Sequence, residues 1–313
     1  MTSTRLALRR QGIAFSTLAV ALSLFIAIFP RWNSSLEIAV LAMLIFVLGV
    51  PHGALDTIFA KRLYGLVSLV QWVVFCLAYL ALAAIVVGFW WVFPSAFLTT
   101  FLIFSAFHFS GDPDVGTSAL LRFWYAGSML IFPAWRYEAE VAQLFAYLVV
   151  GDFSGQMATF LQGLVLPWFV GLCVTLFLQR RINWVTNLEV VSVSLLAIAA
   201  PPLLGFTVFF CVMHSARHAL RTRAYAADVS WVDMLKKAFP PMAFCVLAGA
   251  AFWPGLGGAT FDASAIRILF VGLAALTVPH MVLIERVRMA GWGSSAASGF
   301  VEASVKQNSS PGR

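Results

Sequence analysis

Ten long apolar runs follow one another along the chain and leave little sequence between them. They cover residues 12–30, 36–60, 66–93, 96–110, 119–134, 157–178, 185–200, 203–220, 236–253 and 265–285. A helix needs about 20 mainly apolar residues to cross the hydrocarbon layer of a bilayer. The chain is also 61% hydrophobic and 11% charged, whereas soluble domains are about one-quarter charged. The sequence therefore predicts an all-α fold, a polytopic transmembrane helix bundle of about ten spans.

Basic residues at the ends of the runs predict the orientation of this bundle. If the N-terminus is cytoplasmic, the following fall on the inner side: Arg5, Arg9, Arg10, Lys61, Arg62, Arg122, Arg180, Arg181, Arg221, Arg223, Lys236, Lys237, Arg286 and Arg288. Only Arg31, Arg136 and Arg267 fall outside, which is the asymmetry of the positive-inside rule. We expect a multi-pass protein of the inner (plasma) membrane with both termini in the cytoplasm. The net charge of +7 follows this topology and does not indicate a nucleic-acid partner.

The chain has room for one folded domain. Residues 1–290 are predicted to form a single transmembrane helical domain whose first apolar run is retained as a helix. Residues 136–156, which carry three charges before a moderately apolar stretch, are predicted to form an interfacial helix or a re-entrant segment on the outer side. Residues 291–313 have no apolar period and are predicted to be a disordered cytoplasmic tail.

All five histidines lie inside apolar runs, where polar side chains are costly and usually functional. His214 and His218 are four residues apart, so a helix places both imidazoles on one face, within reach of a single metal ion. With His52, His108 and His280 they share the cytoplasmic half of the predicted bundle. This common depth predicts a metal site built across facing helices, and neutral imidazole is a good ligand for iron, copper or zinc.

Several polar groups lie within one helical turn of a histidine and could accept its second ring proton. They are Asp56 near His52, Ser105 and Asp112 near His108, Thr277 near His280, and the carbonyls of Val47 and Ala275, which Pro51 and Pro279 deprive of their helical donors. Arg217 is expected to reach the inner surface, or to pair with a lipid phosphate, Asp56 or Asp112.

The histidines lie in four short motifs: Pro51-His52-Gly53-Ala54-Leu55-Asp56, Ser105-Ala106-Phe107-His108-Phe109, His214-Ser215-Ala216-Arg217-His218 and Pro279-His280-Met281. In order and spacing these motifs resemble those of the Brp/Blh family of membrane β-carotene dioxygenases. The resemblance runs from about residue 36 to residue 288. The sequence departs from it after His108, where family members tend to have a Gly-Glu type stretch and this chain has Ser110-Gly111-Asp112-Pro113-Asp114.

The resemblance implies a function and a set of ligands. It implies Fe²⁺ held by His52, His108, His214 and His218, and cleavage of β-carotene by O₂ at the central 15,15′ double bond to give two molecules of retinal. His280 and Asp56 are expected either to add a fifth ligand or to orient the other ligands. A retinal-binding opsin is a candidate acceptor of the product, and the bilayer supplies the substrate.

The residues alone leave two other functions open. A membrane di-iron desaturase or hydroxylase also uses histidines near the cytosolic surface, but it needs about twice as many nitrogen ligands. A proton-coupled transporter uses intramembrane histidine and aspartate as a relay and requires no iron. The iron content of the purified protein separates the three classes.

Overall fold

The computed structural model describes residues 3–28, 35–179, 183–256 and 260–287. Within these ranges the chain is built of helices and contains no strand, which confirms the predicted all-α class. The helices are α1 (Ser3–Ile28), α2 (Ser35–Leu44), α3 (Pro51–Ala54), α4 (Asp56–Tyr64), α5 (Leu69–Val92), α6 (Pro94–Phe109), α7 (Ala119–Ile131), α8 (Pro133–Ala146), α9 (Phe153–Leu178), α10 (Trp184–Ala199), α11 (Pro202–Val208), α12 (Ala216–Tyr225), α13 (Trp231–Phe252) and α14 (Phe261–Val287). The predicted tail at 291–313 lies outside the described residues.

Seven continuous helical stretches in the described part of the chain are long and apolar enough to cross a membrane. They are Ser3–Ile28, Leu36–Tyr64, Leu69–Val92, Phe153–Leu178, Pro202–Tyr225, Trp231–Gly255 and Phe261–Val287. Three shorter apolar helices, α6, α7 and α10, coincide with the remaining predicted runs. Each of the ten predicted runs therefore falls on an apolar helix, while the number that cross the membrane stays a prediction. The segment predicted to be interfacial contains most of α8 and the turn that follows it.

Local sequence explains where several helices begin. Ser68 accepts from the backbone of Gln71, whose side chain in turn accepts from the backbone of Ser68, and this reciprocal cap starts α5. Ser118 and Asn183 cap α7 and α10 in the simpler way, each through one side-chain oxygen. Proline opens α6 and α11 after a non-helical residue, at the first position, where its missing N–H costs nothing, and it also stands first in α3 and α8.

Burial distinguishes central helices from peripheral ones. In the most apolar 18 residues of the stretch Pro202–Tyr225, 61% of the residues are buried. The corresponding fraction is zero in α5 and 6% in Trp231–Gly255. The stretch that carries two of the histidines is therefore the centre of the bundle, whereas α5 and α13 present apolar surface outward, as helices facing lipid do.

Contacts between helix ends fall into two groups at opposite ends of the bundle. One group contains hydrogen bonds from Arg62 to the Tyr225 carbonyl (2.9 Å), from Arg221 to the Gly111 carbonyl (2.8 Å) and between Ser118 and Gln179 (2.8 Å), and the Arg9 guanidinium 5.2 Å above the Trp184 ring. The other contains hydrogen bonds from Trp90 to the Leu148 carbonyl (2.9 Å), from Tyr137 to the Ala199 carbonyl (2.7 Å) and from Arg267 to the Tyr147 carbonyl (2.7 Å). The short helices α6, α7 and α10 run from one group to the other.

Candidate metal centre

The five histidines converge on one point in the centre of the bundle. The ring centroid of His52 lies 5.0 Å from that of His214, 5.5 Å from that of His218 and 5.2 Å from that of His280. His108 lies 4.5 Å from His214, 5.3 Å from His280 and 6.2 Å from His52. One nitrogen each of His52, His108 and His280 lie within 4.8 Å of one another. The structure thus brings together the four predicted ligands and the predicted accessory histidine.

Four ring nitrogens of this cluster have no hydrogen-bond partner in the described chain. The Nε2 atoms of His108, His214, His218 and His280 are inaccessible and make no hydrogen bond within the part of the chain that the structure describes. An unsatisfied buried polar atom costs about 1–3 kcal/mol, so four of them in one place are unfavourable unless a ligand satisfies them. Inward-facing imidazole nitrogens at this spacing fit a transition-metal ion.

Two carboxylates hold the opposite nitrogen of two of these rings. Nδ1 of His214 lies 3.0 and 3.1 Å from the two oxygens of Asp112, and Nδ1 of His280 lies 2.7 Å from Oδ1 of Asp56. A carboxylate accepts from Nδ1–H, which leaves the Nε2 lone pair free. Both pairs are buried, so each carboxylate fixes the orientation and the tautomer of its imidazole in the way typical of metal-binding histidines.

His52 is held by the backbone and a hydroxyl. Its Nδ1 lies 2.6 Å from the Gly49 carbonyl and 3.1 Å from the Ser215 hydroxyl, which itself donates to the same carbonyl at 3.2 Å. The Gly49 carbonyl replaces the predicted one of Val47. The reason is local: Pro51 follows a π-helical turn, Ile45–Gly49, which shifts the carbonyl positions relative to a regular helix.

A second π-helical turn, Phe209–Ser215, carries His214. A π turn adds a residue to a helix and rotates everything after it, and such turns are frequent at functional sites. The two turns pack against each other, and adding a Cβ to Gly49 in the first would bring it within 2.4 Å of the Phe210 ring in the second. The two π turns therefore determine how close the helices of His52 and His214 approach.

Comparison with known proteins agrees with this geometry. Residues 43–287 match the family model of β-carotene 15,15′-dioxygenase. A relative from uncultured marine bacterium 66A03, named β-carotene 15,15′-dioxygenase, is 30% identical over 266 residues, which cover 78% of this chain and 91% of the relative. The chain belongs to the β-carotene 15,15′-dioxygenase family. No solved structure matches it. The matched region contains all five histidines, both π turns, Asp56 and Asp112, so the family match covers the whole cluster.

The site of this family member corrects several predicted partners. Asp112 was predicted to serve His108 and contacts His214 instead, while Asp56, one turn from His52 in sequence, contacts His280. Sequence proximity was misleading because both carboxylates reach across to a different helix.

The hydroxyl and carbonyl predicted to serve His280 have other roles. Thr277 donates to the Leu273 carbonyl of its own helix at 2.7 Å. The Nδ1 partner of His280 is Asp56, and no contact of the ring with the Ala275 carbonyl is observed among the described hydrogen bonds.

Arg217 also departs from its prediction. It is buried and does not reach the membrane surface; its guanidinium forms two hydrogen bonds, of 2.5 and 3.0 Å, with Glu189 of α10. It also donates to the Gln11 side chain (3.0 Å) and to the Asp112 carbonyl (3.1 Å). Sequence reasoning missed Glu189 and Gln11. Glu189 had a signal, since it is the single carboxylate of the predicted run 185–200.

Tyr79 is a third residue that sequence reasoning missed. Its hydroxyl lies 3.0 Å from Oδ2 of Asp56, so the carboxylate that holds His280 is itself held from α5. Aromatic rings complete the wall of the cluster: Phe210 stacks on His214 at 5.6 Å and meets His52 edge-on at 5.3 Å, while Phe59 lies 5.7 Å from His218. This apolar surrounding keeps bulk water away from the imidazoles.

Proposed function

We propose that this chain holds ferrous iron through His52, His108, His214 and His218 and cleaves β-carotene at its central 15,15′ double bond with O₂ to give two molecules of retinal. The observation that carries the proposal is the convergence of five imidazoles, four of them with a buried Nε2 that has no partner in the described chain, in a member of the β-carotene 15,15′-dioxygenase family. Ferrous iron would supply the activation of O₂, and neutral imidazoles leave its positive charge intact.

His280 belongs to the same proposal as a fifth ligand. It has the same arrangement as His214, because a carboxylate holds Nδ1 while Nε2 is buried and unpaired. One of its nitrogens also lies within 4.8 Å of those of His52 and His108. The geometry gives no reason to separate it from the other four histidines.

The reaction balances without another reactant. The double bond between the two central carbons is broken, and each carbon receives one of the two oxygen atoms of O₂ as an aldehyde. No proton enters or leaves, so no side chain is needed as a general acid or base. The roles left to this chain are to hold the imidazoles in one tautomer, through Asp112 and Asp56, and to exclude water with rings such as Phe210 and Phe59.

The location of the site suits the substrate. β-Carotene is wholly apolar and dissolves in the bilayer, so a site inside a bundle of membrane helices can receive it directly from lipid. We place the cluster in the cytoplasmic half of the inner membrane, because the basic end of the bundle, with Arg62 and Arg221, lies near it. An opsin that takes up retinal would be the acceptor of the product.

Expression in a bacterial host that already makes β-carotene tests the proposal. We expect the orange colour to fade and retinal to accumulate as the single product, with about one iron per chain in the purified protein. His214→Ala should abolish both retinal production and iron binding. Val150→Ala, at an exposed position far from the cluster, should leave both unchanged. Longer apocarotenals would contradict central cleavage. About two irons per chain would favour a desaturase, and a stably folded protein without iron would favour a transporter.

A further inference from the structure

An apolar cleft opens beside the histidine cluster. It is lined by residues of α6, α7, α8, α11 and α14, together with Leu148 just after α8. Among the residues of the described chain that line it, Ser105 is the only one with a polar side chain. A concave surface of apolar side chains with a single polar group is the usual lining of a small-molecule site.

The cleft extends along the bundle from the level of the cluster. Ser105 lies one turn before His108 on α6, about 5 Å away along the helix axis, whereas Phe270 lies ten residues before His280 on α14, about 15 Å away. The same direction holds on the central stretch, where Phe206 lies eight residues before His214. The cleft therefore begins close to the imidazoles and leads away from them.

A chain of aromatic rings joins the cleft to the cluster. Phe206, in the cleft wall, stacks on Phe210 at 5.3 Å, and Phe210 stacks on His214. Phe270 lies 5.5 Å from Phe206 and 6.2 Å from Phe101. Ring faces and edges of this kind suit a flat conjugated chain, which gains contact with them without losing rotamer freedom of its own.

We propose that this cleft binds one half of a carotenoid, from the reacting double bond to the ring at its end. The proposal rests on the proposed function and assigns the substrate site within it. Because the lining offers almost no hydrogen-bond partner, a ring that carries a hydroxyl would be buried unsatisfied, and the cleft favours the hydrocarbon ring of β-carotene.

A substitution that fills the cleft tests this site. Leu102 lines the cleft, whereas the adjacent Ile103 is 64% exposed on the outside of the same helix. Leu102→Trp should therefore block the site, and Ile103→Trp is its matched control. Leu144→Trp, on α8, fills the cleft from another wall, with the exposed Gln143→Trp as control, in case the first variant fails to fold.

The binding readout does not depend on catalysis. β-Carotene is achiral, so it shows visible circular dichroism only when an asymmetric site holds it. We expect the purified parent protein, kept free of O₂, to induce this signal, and both cleft-filling variants to weaken binding by about 10-fold or more while iron content and membrane level stay at the parent value. Both controls should bind as the parent does.

Each other outcome overturns the proposal. No signal in the parent would mean that no such site exists. Unchanged binding in Leu102→Trp and Leu144→Trp would mean that the cleft holds a lipid tail only, and equal loss in the controls would mean that the effect does not come from the cleft. Failure of the proposed function would appear differently, as a parent protein that binds β-carotene in the expected pattern but releases no retinal when air is admitted.

Discussion

At the scale of single residues, the site depends on pairs that join distant parts of the chain. Asp112 and His214 are separated by 102 residues, and Asp56 and His280 by 224. The sequence predicted the five histidines, since they share one depth in the apolar runs. It did not predict which carboxylate serves which imidazole, because that depends on how the helices are arranged around one another and not on spacing within any one of them.

Asp112→Asn should weaken iron binding without unfolding the protein. The amide still accepts a hydrogen bond but lacks the charge that strengthens His214 as a ligand, and loss of such a partner typically costs 10 to 100-fold in metal affinity. The measurement is iron retention against a graded chelator. Asp114→Asn, two residues away and without a histidine partner among the described contacts, is the control. Equal retention in both variants would show that Asp112 does not tune the metal.

Glu189→Gln should destabilise the bundle by about 3 kcal/mol, because Arg217 then stays buried without its counter-charge. Replacing both residues with methionine should recover much of the loss, since it removes both desolvated charges. Thermal unfolding of the parent and the two variants in detergent separates the cases. If the double variant is no more stable than Glu189→Gln, the pair contributes more than it costs, and the desolvation argument is wrong.

At the scale of elements, the apolar runs predicted the helices because each run is long and apolar, and several are bounded by caps or prolines. The sequence did not predict the two π turns, since their apolar residues read as ordinary helix. It also did not predict how α7 and α9 pack. Trp168 of α9 lies on Gly127 of α7, while Trp124 of α7 lies on Gly171 of α9, and the two indoles meet at 4.8 Å.

Gly171→Ala should destabilise this packing, because the added Cβ would lie 2.3 Å from the Trp124 ring. Overpacking of this kind typically costs about 1–3 kcal/mol. Gly163→Ala, on the same helix with open space around it, should instead be neutral or slightly stabilising, since alanine favours the helix. Thermal unfolding of the two variants checks the difference. Equal stability would mean that α7 and α9 can separate at little cost.

At the scale of the whole molecule, the number of membrane passes decides on which side each loop lies. Hydropathy predicted ten, whereas only seven helical stretches of the described chain have the length usual for a span. We propose ten passes, because contacts at the two ends of the bundle indicate that α6, α7 and α10 each run from the basic end to the opposite end or back.

Cysteine labelling at two exposed valines distinguishes ten membrane passes from seven. Val115, between α6 and α7, is 88% exposed, and Val150, before α9, is 85% exposed. With ten passes and a cytoplasmic N-terminus, Val115→Cys lies inside the cell and Val150→Cys outside. A membrane-impermeant maleimide applied to intact cells should then label only Val150→Cys, and both positions after permeabilisation. With seven passes α6 and α7 would not cross, so both cysteines would lie outside and be labelled in intact cells. Asp228→Cys, in the exposed turn after α12, gives an independent reading: ten passes protect it in intact cells, and seven expose it.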